Sequence, residues 1–586
     1  MLSRYSRLKL RRKFRARKKA IQASADNANK QLERHIFRRQ HNWKTANRFV
    51  AGWIGLMVIL GFAVTLQYRG LGATYLTVQP TSGGIYSEGI IGNLNNANPI
   101  YATSPVDNAV ASLVFSGLFN YDQQNNLVGD LANSWVADDT AKKYTITLKD
   151  NIYWHDGEKF NADDVVFTYK IIQNPDTQSS YFTTWRRIEV KKIDDLTVEF
   201  NLPNSYSPFP YLLTNGILPE HKLASIEPVK LRSNDFNNSP IGTGPFKWQE
   251  VNVDSNGSVK SETVQLIKNE NYFKGAVQLS GFSIKSFPDT KSIETSLSNK
   301  DIIGAANTSY LTDNGKNIDS LLFNQTSALM LFMNTQNDLT KEINIRKALI
   351  KATDTKAISA ILPYPVIPVD EPILRGQLGY NKAYAQLPFA PEEVDKILTE
   401  SGWSITDGQQ YRQKDGKDLV IKLVSENNPD YAKFSQDIQN QWAKFGIKTE
   451  VLLADKQEIN STILESKEYD VFLYPISIGA DPDVYVYWHS SQVDKSNLSK
   501  YKSNIADSAL EAGRSRSDLA LRSAKYEPFL KAWQADVPAI GLHQPVFIYS
   551  TSVKVYNLEP RTINVPSDRY YNVHNWQINT KKATQN

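Results

Sequence analysis

The pattern of apolar and polar positions changes character at Arg48. Phe49 to Tyr68 read FVAGWIGLMVILGFAVTLQY, twenty residues without a charge, held between Arg48 and Arg69. At about 1.5 Å of rise per residue such a helix measures about 30 Å, the thickness of a bilayer's hydrocarbon core. Gly52, Gly55 and Gly61 would weaken a soluble helix and are ordinary in a membrane one, and Trp53 and Tyr68 lie near the ends, where amphipathic rings favour the headgroup zone. A cleaved secretory signal has an apolar core of about 7–15 residues and a small-residue cleavage site. Here the run is longer, and Tyr68-Arg69-Gly70-Leu71-Gly72-Ala73 is a poor site, so the pattern predicts a retained transmembrane helix over 49–68.

Beyond it the patterning is that of a large soluble domain of mixed helix and strand. About 515 residues are too many for one core. A Gly/Thr/Ser-rich stretch, Gly70 to Gly84, is expected to be linker, placed at 69–80. Ser104-Pro105 opens a helix whose Val106, Val110, Leu113, Val114 and Leu118 share one face. Tyr144–Leu148 and Leu196–Leu202 alternate as half-buried strands do. The stretch from Leu419 to Ile476 is the most informative. Leu419–Val424 is an apolar strand; Asn428-Pro429-Asp430 then supplies a capping Asn, Pro in the first turn and a dipole-favourable acid. Tyr431, Phe434, Ile438, Trp442 and Phe445 make one apolar stripe, and Gly446 ends the helix. A strand at Ile447–Leu453, a helix at Glu458–Ser466 and a strand at Tyr469–Ile476 complete a β-α-β-α-β order, which predicts a parallel sheet with right-handed crossovers. Ligands bind outside the carboxyl ends of such strands, so the loop Gly479-Ala480-Asp481-Pro482-Asp483 is the first place to look for a site.

Charge orients the helix. Of 67 basic and 61 acidic residues, 16 and two lie within 1–48, leaving 51 basic and 59 acidic beyond. Basic residues beside a membrane helix stay cytoplasmic, so 1–48 reads as a cytoplasmic tail and the acidic remainder as extracytoplasmic. The cluster Arg11-Arg12-Lys13-Phe14-Arg15-Ala16-Arg17-Lys18-Lys19 is compatible with nucleic-acid binding, but the adjacent helix favours a topology signal that also attracts anionic lipid. No nucleic-acid partner is expected. The chain has no cysteine, which excludes disulfides, thiolate metal sites, a cysteine nucleophile and a lipid-modified N-terminal Cys.

Chemistry-bearing motifs are sparse. The seven His are scattered with no metal spacing, and there is no HExxH or GxSxG. Gly242-Thr243-Gly244-Pro245 is too short for a phosphate loop. Asp481 and Asp483 have the chemistry of an acid/base pair or of calcium ligands, although D-P-D at a strand end is more often turn chemistry. Trp185, Trp248, Tyr485 and Trp488 are candidates for a ligand cleft, each weighed against a place in a core. No catalytic residue, metal site or cofactor is expected.

Seven ordered matches identify a likeness. Glu88-Gly89-Ile90-Ile91-Gly92 precedes Asn98-Pro99, with Asn95 between; then come LFNYDQQNNLVGDLANSW (118–135), YTITLKDNIYWHDGEKFNADDVV (144–166), IGTGPF (241–246), NTQNDLTKEINIRKAL (334–349) and YDVFLYPISIGADPDVYVYW (469–488). The chain resembles the extracellular solute-binding proteins of family 5, receptors for oligopeptide, dipeptide and nickel importers of the ABC type. The likeness runs from about Gly84 to Leu558. It implies an α/β, two-lobe periplasmic-binding-protein-like fold of class II with an extra inserted subdomain, here preceded by one N-terminal transmembrane helix. Lobe I would comprise 81–325 and 541–580, with the insert at 101–236, and lobe II 326–540. Ligand would lie between closing lobes, near Asn95 and the aromatic and D-P-D residues above, and the closed form would dock on a permease pair with its ATPases. His155–Gly157 would mark a turn of the insert, with Asp163-Asp164 capping the next helix.

Two departures bear on cargo. Dipeptide-binding members hold the peptide amine with an Asp three residues before the D-P-D, which here is Ile478, and its carboxylate with an Arg that here is Ser425. A buried charge without a partner costs several kcal/mol, so a short zwitterion is not expected to bind in that way. Longer peptides held through backbone hydrogen bonds fit better; a shifted loop would let Asp481 replace the missing Asp, and Arg375 is a candidate carboxylate contact or a surface Arg. The expectation is thus a monomeric, membrane-tethered receptor for oligopeptides that does no chemistry. Its rivals are a signalling receptor read out through the tail, a receptor for a nickel chelate or haem, and a tethered peptidase.

Overall fold

A computed structural model describes residues 4–34, 38–254, 261–311, 318–406 and 408–584. They fall into two compact units, 1–79 with 580–586, and 80–579.

In the first unit the basic tail is helical over Arg4–Leu32, and a second helix, Arg38–Tyr75, carries the apolar run. Phe49–Gln67 meets the length and composition of a membrane span. The expected linker is not observed as one. Helix continues through Gly70 and Gly72 to Tyr75, and Leu76–Thr81 is a strand in a two-stranded sheet with Asn579–Thr584. The cost of a glycine in a helix, about 1 kcal/mol, is too small to stop one already propagated over several turns.

The second unit is organised by two large sheets. The first has eight strands in the order Thr562–Ile563, Asp319–Gln325, Val546–Thr551, Gly304–Ala306, Ile85–Ile91, Gly281–Phe287, Ser261–Lys268, Phe246–Asp254. The second has five: Lys448–Ala454, Val420–Glu426, Val471–Ser477, Ser327–Met333, Ala539–His543. The chain crosses between them twice, at Thr326 and at Gln544–Pro545. These crossings are hydrogen-bonded together, Gln325 N donating to Pro545 O (2.9 Å), and Thr326 Oγ1 donates to Asn564 Oδ1 (2.8 Å) beyond the edge strand Thr562–Ile563. The expected return to lobe I at 541 falls inside the strand Ala539–His543. That strand stays with the second sheet because all five of its residues are buried beside Ser327–Met333, which moves the return past His543.

The second sheet contains the predicted unit. Val420–Glu426 pairs in parallel with Lys448–Ala454 and with Val471–Ser477. Asn428 caps the intervening helix, Pro429–Ala443, by accepting the N–H groups of Asp430 and Tyr431. Phe434, Ile438 and Trp442 are buried under the sheet, Tyr431 and Phe445 pack beside them, and Gly446 leaves the helix at φ +72°. The helical stretch after the second strand contains one π turn, Ile459–Ile463.

A four-stranded antiparallel sheet, Ala132–Ala137, Lys143–Leu148, Thr197–Asn201, Glu189–Asp194, forms the core of the region expected as an insert. Its helix Ala162–Gln173 is capped by Asn161, with Asp164 reciprocating, rather than by the Asp163-Asp164 pair itself; an Asn just outside the first turn reaches its N–H groups without helical φ/ψ. Two motifs explain each other here. His155 Nδ1 accepts from Gly242 N (3.2 Å) and its Nε2 bonds to Gly244 O (3.0 Å), so the HDG turn rests on the GTGP turn. A Cβ at Gly242 would lie 1.9 Å from Val114 O, and one at Gly244 2.6 Å from Leu113 O, so glycine lets this turn close on the end of helix Pro105–Val114.

Candidate ligand cleft

Two adjoining cavities lie in the second unit. The first, about 710 Å³, is walled by residues between 90 and 216, by Ala306 and Asn307, and by Phe547 and 565–571. The second, about 1090 Å³, lies between the inserted subdomain (183–188, 202–206, Leu212) and the second-sheet lobe (Tyr485 and residues 508–515). Thr184 and Leu212 line both, so the chambers meet there. Both reach the size of small-molecule and cofactor pockets, about 300–1,000 Å³.

The first cavity presents aromatic walls and neutral amides and hydroxyls, among them Tyr121, Trp185, Tyr211, Asn108, Asn120, Asn215 and Asn307. Its charged lining residues are already engaged. Asp130 pairs with Lys274 at 2.6 Å. Asp568 caps the turn Pro566–Tyr570, accepting from Asn564 N and Val565 N. Arg569 is committed to Glu88, donating through Nε (3.0 Å) and Nη2 (2.6 Å) to Oε1, while Tyr570 donates its hydroxyl to Oε2 (2.5 Å). The guanidinium lies 4.1 Å from the Tyr570 ring centre and 5.4 Å from that of Tyr549. Burial alone would drive Arg569 toward neutrality; the fields of Glu88 and its neighbouring tyrosines hold it protonated instead. Nothing in the sequence pointed to this pair, because 481 positions separate its members.

The D-P-D loop leaves the end of strand Val471–Ser477 as expected. Its acids are not free. Asp481 is gripped by Arg522 through two bonds of 2.5 Å, and Arg522 also donates to Gly513 O (2.9 Å) and to the Tyr526 hydroxyl (3.1 Å). Asp483 accepts from Arg514 Nη2 at 2.8 Å, and burial pushes its carboxyl above the usual range. Asp481 is therefore not available to replace a missing amine-binding Asp, since its charge is consumed by an arginine of the neighbouring helix. It still acts at the lobe boundary, where burial raises the hydroxyls of Tyr121 and Tyr211 and the Asp481 charge adds a smaller push in the same direction.

The remaining candidates divide. Trp185 lines the first cavity while stacking on Tyr169 (4.1 Å), so it is both wall and core. Tyr485 lines the second. Trp488 is fully buried against Phe332 and Trp533 in the second lobe. Ile478 belongs to the same core, and Ser425 is fully buried at the end of its strand; neither lines either cavity. Trp248 packs half-buried against the first-lobe core from the sheet's edge strand, Phe246–Asp254, and lines neither cavity. Arg375 is exposed and pairs with Asp370 (3.1 Å). Asn95 is exposed, its N–H donated to Asp107, which organises the loop before helix Pro105–Val114. Sequence reasoning missed Arg186, Arg187, Tyr206 and Arg514. Tyr206 and Arg514 carry contact between the lobes. Ser207 donates through N (2.9 Å) and Oγ (3.1 Å) to Arg514 O, and the Arg514 guanidinium lies between the rings of Tyr485 (4.1 Å) and Tyr206 (4.9 Å).

Two sheet-centred lobes, joined by two adjacent crossings, with one cavity on the first lobe and the adjoining one walled by both, define a ligand-enclosing receptor of the two-lobe, mixed α/β periplasmic-binding class. Residues 126–497 match the model of the bacterial extracellular solute-binding proteins, family 5, middle region, and the chain belongs to that family. The oligopeptide-binding protein AppA of Bacillus subtilis (strain 168) is 27% identical over 513 residues, 85% of this chain and 92% of the relative. Among solved structures, AppA from Bacillus subtilis in complex with a nonapeptide is 26% identical with a TM-score of 0.66, covering 86% of this chain and 100% of that one. NikZ from Campylobacter jejuni in complex with Ni(L-His) is likewise 26% identical, with a TM-score of 0.68 over 84% of this chain and 99% of its own.

Proposed function

We propose that this protein is a membrane-tethered, extracytoplasmic receptor that captures oligopeptides between its lobes and delivers them to the permease of an ABC importer, without chemistry of its own. The observation that carries the reading is the first cavity, in which every charged lining residue already has a partner while tyrosines, amides and hydroxyls remain. Such a lining suits an extended backbone, which offers one N–H and one C=O per residue and no charge along its length. It does not suit a dipeptide, whose two terminal charges would both need buried partners. The likeness to AppA, whose solved complex holds a nonapeptide, supports the same cargo. Lobe I then comprises the eight-stranded sheet with its insert and lobe II the five-stranded sheet. Ligand that touches both lobes only when they are closed shifts the population toward closure.

The helix over 49–68 is the tether, with the basic tail inside and the receptor outside. Tethering confines receptor and permease to one surface and raises their effective concentration. The receptor acts as a monomer. Mass spectrometry of whatever co-purifies with the full-length protein tests the cargo. A mixture of peptides longer than two residues is expected; a single non-peptide solute would overturn the reading. The likeness to NikZ supports a second reading, a metal–amino acid chelate as cargo, and the same measurement would show it as stoichiometric metal with an amino acid.

A further inference from the structure

The second cavity differs from the first in its charge. Three guanidinium groups face it, those of Arg186, Arg187 and Arg514, against one carboxylate, that of Glu511. Arg514 is held by Asp483 at 2.8 Å, and Glu511 stands 3.3 Å from His489 Nε2. Arg186 and Arg187 have no ion-pair or hydrogen-bonding side-chain partner among the described residues and are exposed toward the chamber. They directly follow Thr184 and Trp185, which line the first cavity. One short segment, from the helix Phe182–Trp185 onward, thus turns an uncharged wall toward one chamber and two free cations toward the next.

We infer that Arg186 and Arg187 form the carboxylate-receiving end of the binding site, so that the cargo is an extended peptide that runs from the first cavity past Thr184 and Leu212 and delivers a carboxylate to these two guanidinium groups. The inference rests on the peptide reading above. A peptide has at least one carboxylate to place, and the first cavity has no unpaired cation to receive it. Guanidinium forks match carboxylate geometry and make charge-assisted bonds about twice as strong as neutral ones. At about 3.3 Å per extended residue, only a chain of several residues spans both chambers, which makes the arginine pair a lower limit on cargo length. The second wall of this chamber, Tyr485 and residues 508–515, belongs to the other lobe, so a carboxylate seated there is enclosed only on closure.

The test uses the full-length protein in nanodiscs and nonapeptide pools of three kinds: free C-terminus, C-terminal amide, and C-terminal amide without Asp or Glu. The free pool is expected to bind the native protein about tenfold or more tightly than the acid-free amide pool. Arg186→Ala/Arg187→Ala should remove that preference, and Arg186→Lys/Arg187→Lys should keep part of it. The amide pool that retains Asp and Glu separates the two sources of carboxylate: binding like the free pool assigns the site to acidic side chains, and binding like the acid-free pool assigns it to the main-chain terminus. Equal binding of the free and acid-free pools, or an alanine variant that keeps the preference, overturns the inference and leaves the peptide reading standing. Failure of every pool to bind the native protein overturns the peptide reading, and the inference with it. Both arginines are exposed and unpaired, so the variants are expected to melt as the native protein does.

Discussion

The pair of Asp481 and Arg522 separates a structural from a ligand-binding role for the D-P-D loop. In Asp481→Ala the guanidinium of Arg522 keeps Gly513 O and the Tyr526 hydroxyl but loses both 2.5 Å carboxylate bonds in a place where its side chain is 3% exposed. Hydrogen bonds to charged groups contribute about 1.5–3 kcal/mol each, and breaking a buried pair from one side costs about 3–5 kcal/mol. In a lobe of about 200 residues each kcal/mol moves Tm by about 2–4 °C, so the lobe should melt about 6–20 °C lower. Calorimetry and urea unfolding followed by tryptophan fluorescence, which Trp442, Trp488 and Trp533 report from this lobe, measure it. Removing both charges together, as Asp481→Leu/Arg522→Met, should recover much of the loss, because no uncompensated ion then remains. A fall of less than about 1 kcal/mol in Asp481→Ala, with peptide binding abolished below the melting range, would refute the structural role and return Asp481 to the ligand.

Glu371 is fully buried, with Asn381 N donating to Oε1, and burial pushes its carboxyl up to about 8. The folded state therefore holds this proton more tightly than the unfolded one, so its contribution is present below about pH 4.5 and is lost as pH rises toward 8, by at most about 1.4 kcal/mol per pH unit. Glu371→Gln should remove that slope from urea unfolding measured between pH 5 and 8; an unchanged slope contradicts it. Gly242→Ala sets a Cβ 1.9 Å from Val114 O, backbone that cannot swing aside, and should cost more than about 3 kcal/mol or abolish soluble expression; native-like melting would refute the packing argument. Arg514→Ala removes the cation between Tyr206 and Tyr485 and should shift the lobes toward the open form, seen as a larger radius in X-ray scattering and a several-fold weaker affinity for the free nonapeptide pool; unchanged scattering and affinity would show that the contact does not hold the lobes closed.

Local chemistry made some elements legible. The Asn428 cap, the stripe through Phe434, Ile438 and Trp442, and Gly446 at positive φ all act within one helix, and the parallel strands around it follow from patterning. The apolar run at 49–67 is read from composition, because a span must be apolar on every side. The strands Ser327–Met333 and Ala539–His543 went unseen: buried throughout, they show no alternation. The linker expected at 69–80 failed for a related reason, since Gly and Thr composition does not register a helix already propagating.

For the site, the chain by itself determined the family, a scarcity of catalytic constellations, a candidate loop at the end of a parallel strand and an apolar run long enough to cross a membrane. Tertiary structure decided which of those residues are free. Asp481 and Asp483 looked available until Arg522 and Arg514, on other segments, consumed their charge, while Ile478, Ser425 and Trp488 went into the core. Arg186 and Arg187, unremarkable in sequence, became the unpaired cations of a cavity. Availability of a charge is a property of its neighbours in space, and those neighbours are set by long-range packing that no local pattern encodes.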